Sequence, residues 1–281
     1  MGVTGLENYT AWLFTLGTEL TQGRVVNTNA TFICRRLTLI GFNVVGVITL
    51  IDDVDLISRY LRIVLSWKPR VLITTGGLGP TYDDRTLEAI AKAVNKQLVI
   101  NQEAFEMVKK RYEARGLDLT PERIKMAYLP EEAIPIPNSV GTAPGCWLEV
   151  ENTSIIALPG VPKEMEVMWF SWVEPRLRLL GPNLHIVERL IVVEDVPEAT
   201  MAPVIKVLIK LYPGVYIKTH PEISEIGKPV LKIYVMYSHR DEEQAKSTVL
   251  KVIQGISDKF MEMYGSKPKV IAVKEAGELT T

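Results

Sequence analysis

TTGGLGPTYDDRT, residues 74–86, places Gly76, Gly77 and Gly79 straight after an apolar run and just before the adjacent Asp83 and Asp84. The run before it, RVLIT at 70–74, reads as a strand, and residues 86–94 read as a helix. Glycines let the backbone take positive φ and approach a ligand closely. Successive N–H groups in such a turn can surround an anion, and the helix start adds more unpaired donors. The spacing is GGxG rather than GxGxxG, and no Walker lysine follows, so neither of those phosphate motifs applies. A tight corner between strand and helix accounts for the same glycines. One aspartate can cap the helix at Thr86 while the other faces a pocket.

The same strand-turn-helix pattern repeats outward from this stretch. Residues 12–16 read as a strand, 28–39 as a helix closed by Gly41, 44–49 as a second strand and 56–65 as a second helix. Further on, 101–115 and 121–126 read as helices and 146–150 with 154–158 as paired strands. Residues 162–180 read as a helix interrupted near Glu174–Pro175. Strands alternating with helices predict a three-layer α/β/α domain with a mostly parallel sheet. Ligands of such sheets bind beyond the carboxyl ends of the strands. Three candidate turns converge there: Gly17-Thr18-Glu19, the Asp52-Asp53 turn, and the glycine stretch.

Gly181-Pro182-Asn183 reads as a boundary. Beyond it come a strand at 188–193, a helix at 198–209, strands at 215–219 and 232–237, a helix at 241–263 and a strand at 270–273. That order predicts a small α+β domain. The expected domains are therefore 11–180 and 184–275.

Chemistry can be assigned to several turns. Carboxylates from two loops, Asp83 and Asp84 with Asp53, can hold a divalent metal ion such as Mg²⁺, Mn²⁺ or Co²⁺, which would bridge phosphates and activate water. An acidic, solvated helix start accounts equally for Asp52, Asp53 and Asp55. Asn27 and Asn29 stand where a helix cap is needed and also suit a ribose, amide or base. Asn138, Gly141 and Thr142 lie in a second glycine-bearing loop. Gly160 and Lys163 lie in a third, where Pro162 suits a first helical turn and Glu164 a positive helix end.

With a formal charge of −1 and a pI of about 6.4, the chain offers no general nucleic-acid or anionic-membrane surface. Its apolar runs are too short to span a bilayer. A cytoplasmic protein is expected. Cys34 and Cys146 form no CxxC unit and read as buried thiols, and the three histidines lack zinc spacing. Trp169, Phe170 and Trp172 can pack against a partner chain, consistent with a homodimer, or can join the core.

Taken in order, GTEL, the NTN at 27–29, TTGGLGPTYDDRT, NSVGTAPG and LPGVPKEM resemble the CinA competence/damage-inducible family, across residues 11–172. The resemblance is to its amino-terminal molybdopterin-binding-like domain, related to MogA and MoeA. It implies metal-assisted hydrolysis of a small-molecule nucleotide, ADP-ribose, to AMP and ribose 5-phosphate. By this resemblance Asp84 is the functional aspartate, and a second falls at Asp52 or Asp53. Where the cofactor-biosynthesis relatives have arginine, this chain has Asp83, which favours a metal-bound diphosphate over molybdopterin adenylation. Asp84, Asp83 and Glu19 are the expected catalytic set, with Glu19 orienting water. Gly17, Thr18, Asn27, Asn29, Thr75, Gly76, Gly77, Gly79, Thr81, Asn138, Gly141, Thr142, Gly160 and Lys163 are the expected substrate contacts. A pocket that binds a nucleotide or pterin without turnover, and a molybdopterin-related enzyme, are the alternatives. The part after Gly181 resembles the family's KH-like domain but has no GxxG clamp for RNA between Leu184 and Tyr264. The nicotinamide mononucleotide deamidase domain of longer members is not expected in this chain.

Overall fold

The computed structural model describes residues 8–223 and 229–275. The chain divides into two compact units, with the boundary between Pro182 and Asn183.

The first unit opens with β1 (Thr10–Leu16), a one-turn α1 (Thr18–Thr21), α2 (Thr28–Leu39), β2 (Asn43–Leu50), α3 (Val54–Ser66), β3 (Val71–Thr75) and α4 (Thr86–Ala93). Short pieces follow: β4 (Leu98–Ile100), α5 (Gln102–Glu113), α6 (Pro121–Ile124), β5 (Tyr128–Pro130) and β6 (Ile134–Ile136). The unit ends with β7 (Gly145–Val150), β8 (Thr153–Leu158), α7 (Pro162–Met168) and α8 (Glu174–Leu180). Side chains start the main helices as their sequences demand. Asn27 accepts from the Ala30 N–H, Asp53 from Leu56 and Asn101 from Ala104.

Six strands form one sheet in the order β2-β1-β3-β8-β7-β6. β2, β1, β3 and β8 run parallel, and β7 and β6 return antiparallel. Both faces are covered, so central β3 is buried at every position. Leu72 faces one core with Phe14, Ile57, Leu61, Ile90 and Val108. Val71 and Ile73 face the other, with Leu13, Ile33, Leu37, Met165 and Trp169. This is the three-layer arrangement that the alternating pattern predicts. Register then places the site: Leu16 pairs with Leu50, Thr15 with Thr75, and Thr75 with Leu158. Four parallel strands therefore end level, and their outgoing loops share one edge.

The break expected near Glu174–Pro175 is a π-helical turn at Trp169–Val173, wedged between α7 and α8. Pro175 has no N–H to continue an α ladder, and its ring would crowd the carbonyl four residues back. Widening the preceding turn accommodates it. Trp169 is not a surface residue: it is fully buried and donates its indole N–H to Glu174 over 2.6 Å. Phe170 is half exposed, and Trp172 packs edge-on against Trp147.

The second unit contains β9 (His185–Glu194), α9 (Glu198–Leu211), β10 (Tyr216–Ile223), β11 (Pro229–His239), α10 (Glu242–Tyr264) and β12 (Lys269–Glu275). Its antiparallel sheet has the order β10-β11-β9-β12. Ile191, Val193, Leu231, Ile233 and Val235 face α9 and α10 to make a separate core. Among the described residues no helix is long and apolar enough to cross a membrane.

Candidate functional site

A cavity of about 440 Å³ opens where the four parallel strands end, at the topological position where open α/β sheets bind ligands. Its lining draws on each outgoing loop: Gly17 and Glu19 after β1, Asp52 after β2, Gly76 to Thr81 with Asp83 and Asp84 after β3, and Pro159 to Val161 with Glu164 after β8. Thr142 and Ala143 complete it from the loop before β7. A smaller hollow beside it shares Leu16, Glu19 and Gly160 and adds Asn27, Asn29 and Thr75.

The glycine stretch crosses the cavity floor in a conformation that side chains would block. Gly76 has φ 105°, and a Cβ there would stand 2.1 Å from the Leu16 carbonyl oxygen. Gly77 has φ 67° and lies against Thr86, whose hydroxyl donates to the Gly76 carbonyl over 2.8 Å. The Gly76 N–H is consumed by the Leu158 carbonyl at 3.0 Å, so it is not a ligand donor. The N–H groups of Gly77, Leu78 and Gly79 meet no protein acceptor among the described residues. These are the donors that remain for an anion.

Neither aspartate of the pair caps α4, whose first turn begins after Arg85 without a side-chain cap. Both line the cavity instead. Thr81 folds back on them: its N–H donates to Asp84 Oδ2 at 2.9 Å and its hydroxyl reaches the same oxygen at 2.5 Å. Asp83 Oδ1 also lies within bonding reach of that hydroxyl. The Thr81 hydroxyl, then a bond from the Asp83 backbone itself and nearby Lys125, hold the Asp83 carboxyl below the usual range. Lys125 itself is bonded to the Thr81 carbonyl, and partial burial pulls its ammonium down against the opposing pull of Asp84 and Asp83.

Several expected metal or ligand residues have other work. Asp53 is the α3 cap, bonded at 2.7 Å to the Leu56 N–H, and does not line the cavity. Its neighbour Asp52 does, held through Oδ2 by the Thr18 N–H at 2.8 Å and hydroxyl at 3.0 Å. Asn138 lies behind the wall, where its amide donates to Ala143 O at 3.0 Å and Glu164 Oε2 at 2.7 Å. Its Oδ1 accepts from Val140 and Gly141. Asn27 caps α2 and donates to Thr15. Asn29 donates to Thr75 and to the Gly160 carbonyl, both at 2.9 Å, while its buried Oδ1 has no partner among the described residues. Thr75 donates to the Pro159 carbonyl, and exposed Lys163 is not in the lining. Glu19 is an exposed rim residue.

Glu164 reads from sequence as a helix-start charge only. The signal that finds it is the pairing of two distant glycine-bearing loops: a Cβ at Gly141 would stand 2.0 Å from Glu164 Oε2. Among the described residues the lining thus carries Glu19, Asp52, Asp83, Asp84 and Glu164, and no Lys, Arg or His. All ionic donors are hard oxygens. Among the described residues no three acidic, His or Cys side chains stand close enough together to hold a metal alone. A hard divalent cation held by one or two of these carboxylates, with phosphate oxygens and waters filling its shell, fits that donor set.

A three-layer α/β unit with a polar cavity at the carboxyl edge of its parallel strands is a small-molecule-binding fold. The family model described as "Probable molybdopterin binding domain" matches residues 12–179, and the chain belongs to that family. The crystal structure of the protein CinA with unknown function from Thermoplasma acidophilum is 43% identical, with a TM-score of 0.57, over 60% of this chain and 99% of that one. This CinA-like domain is followed here by the further unit that begins at Asn183. A protein of Pyrobaculum arsenaticum is 42% identical over 258 residues, 92% of this chain and 96% of its own length. One from Aeropyrum pernix is 43% identical over 260 residues, covering 92% and 97%. Such relatives extend across both units.

Proposed function

We propose that the cavity binds a phosphate-bearing pterin or nucleotide through a bridging divalent cation. One observation carries this reading: the cavity pairs unused backbone N–H groups at Gly77 to Gly79 with a charged lining made only of carboxylates. Phosphate and carboxylate repel each other unless a cation stands between them. Asp84 and Asp83, pre-set by Thr81, would hold the cation, with phosphate oxygens and waters completing its shell. It would neutralise phosphate charge and polarise a bound water. Asp53 drops out of that set because it is committed to α3.

The test is calorimetric titration with ADP-ribose, ADP and a phosphorylated pterin, in Mg²⁺ and then in chelator. Binding that needs the metal and falls at least tenfold in Asp84→Asn supports the reading. Affinity indifferent to both overturns it.

Hydrolysis is the second reading, favoured by the position of Glu19. It stands exposed on the cavity rim beside Gly17, where solvent enters. There a carboxylate can take a proton from water as the water adds to one phosphorus of a diphosphate. ADP-ribose would yield AMP and ribose 5-phosphate. AMP release by the wild type and its loss in Asp84→Asn and Glu19→Gln is the expected result. Binding without release leaves the protein a binder.

A further inference from the structure

A second cavity of about 440 Å³ adjoins the carboxylate-lined one at Thr142, which lines both. The two share the loop before β7 and differ in charge. The second cavity is walled by that loop and by α5. Lys110 and Arg111 supply its charge, Met107, Pro137 and Pro144 its apolar surface, and among the described residues no Asp or Glu lines it. The sign of the charged lining therefore reverses across Thr142.

Both cations stand in the last turn of α5, where the helix dipole favours positive charge. That accounts for their sign but not for how they are left. Lys109, the residue before them, pairs with Glu113. Among the described residues Lys110 and Arg111 meet no carboxylate. Arg111 is half-buried and donates through Nη2 to the Asn138 carbonyl over 2.6 Å. The Asn138 side chain in turn holds Glu164 over 2.7 Å. One guanidinium nitrogen thus pins the shared loop, and the remaining N–H groups of the fork stay available. Lys110 is exposed beside it and anchors nothing among the described residues. Two neighbouring cations with no counter-charge, over an apolar surface, are what a phosphate carried on a sugar or ring requires.

We propose that this basic cavity takes a second phosphate of the same ligand. The inference rests on the cation-bridged reading above and narrows its ligand class to a nucleotide or pterin with two separated phosphate groups. The first group meets carboxylates and needs a divalent cation between. The second meets Lys110 and Arg111 directly and needs none. The ligand would pass Thr142, with Met107, Pro137 and Pro144 covering its apolar part. The two cavities then select for charge at both ends, which neither does alone.

Calorimetry in Mg²⁺ with two ligand pairs tests this: ADP against its 3′-phosphate, and ADP-ribose against its 2′-phosphate. Each pair differs by one phosphate and offers it at a different reach. At least one phosphorylated member should bind roughly tenfold or more tightly than its parent. That gain should shrink as salt rises, since one of the two cations is exposed. Lys110→Gln should cut the gain to about threefold or less, and Lys110→Glu should abolish or reverse it. Both should keep the melting temperature and the affinity for ADP itself. Arg111 also anchors the loop, so its substitution would mix two effects, and Lys110 carries the test. Equal affinities within both pairs, or a gain that survives Lys110→Glu, would overturn the proposal. ADP that binds only with metal but gains nothing from the added phosphate sinks the second subsite alone. ADP that does not bind in Mg²⁺ sinks the cation reading, and this proposal with it.

Discussion

Asn138 donates its side-chain amide to Glu164 Oε2 over 2.7 Å, so the loop before β7 aims the carboxylate that begins α7. Two further bonds make Asn138 a loop anchor, accepting from Val140 at 3.1 Å and Gly141 at 2.7 Å. Asn138→Ala should therefore cost stability, about 2 kcal/mol, by leaving the buried Gly141 N–H and the part-buried Val140 N–H unpaired. Gly141→Ala acts differently. Its new Cβ would stand 2.0 Å from Glu164 Oε2 and push that carboxylate aside. The expected result is a roughly tenfold loss in ligand affinity with a smaller change in melting temperature. Calorimetry and thermal melts on both variants separate the two effects.

Thr81 ties the two cavity aspartates together. Removing its hydroxyl in Thr81→Ala takes away the first cause of the depressed Asp83 carboxyl. The Asp83 pKa should rise toward the ordinary carboxylate range. Metal and ligand binding would then need a higher pH, because protonated Asp83 cannot serve the cation. A binding-against-pH profile should move upward in Thr81→Ala, with the high-pH plateau retained. An unmoved acid limb would mean Asp83 does not take part.

The largest single electrostatic loss should come from outside the cavity. Glu174 is 6% exposed and accepts from Arg36 over 2.7 Å, Arg178 over 2.8 Å and the Trp169 indole over 2.6 Å. Burial pushes its carboxyl up, but the Arg36, Trp169 and Arg178 bonds together bring it below its ordinary value. A carboxyl depressed in the folded state contributes stability above its unfolded pKa of about 4.3 and loses it as pH falls through the folded value. Glu174→Ala should cost roughly 3 kcal/mol at pH 7, since Arg36 loses its fork partner and the indole its acceptor. The gap between wild type and variant should narrow as pH drops from about 5 to 3. Glu88→Ala, which breaks the exposed pair with Arg85, is the control and should cost under about 1 kcal/mol.

The sequence made the central strands and long helices readable because their apolar spacing answers to one period each. α2 begins at Thr28 and ends at Leu39, where the spacing puts it, since Asn27 caps it and Gly41 turns the chain. β4, β5 and β6 were not readable: three residues are too few to show a period, and Pro130 and Pro135 argue against strands. At the site, residues that touch through local turns were legible, as with Gly76, Gly77, Asp83 and Asp84. Choosing between Asp52 and Asp53 was not, because both follow β2 and only the cap bond to Leu56 separates them. Glu164 was hidden for another reason. Its partner Asn138 is 26 residues away, and no local pattern links them.

The two thiols should differ sharply in reactivity. Cys146 lies in β7 with no exposure, and burial alone pushes its thiol up to about 12. At pH 8 its thiolate fraction is then on the order of one in ten thousand, and no reagent reaches it. Cys34 on α2 is half-buried; desolvation raises it, with a backbone bond pulling partly back. A thiol-reactive disulfide reagent at pH 8 should therefore label Cys34 slowly and leave Cys146 untouched in the native protein. In guanidinium both should react at the rate of free cysteine. The two rates report different events: Cys34 labelling follows local exposure of α2, while Cys146 labelling requires the sheet to open between β7 and β8. Equal native rates at the two positions would mean that the sheet edge opens as readily as the helix surface, against the close packing of Cys146 beside Ala157 in the pairing of those strands.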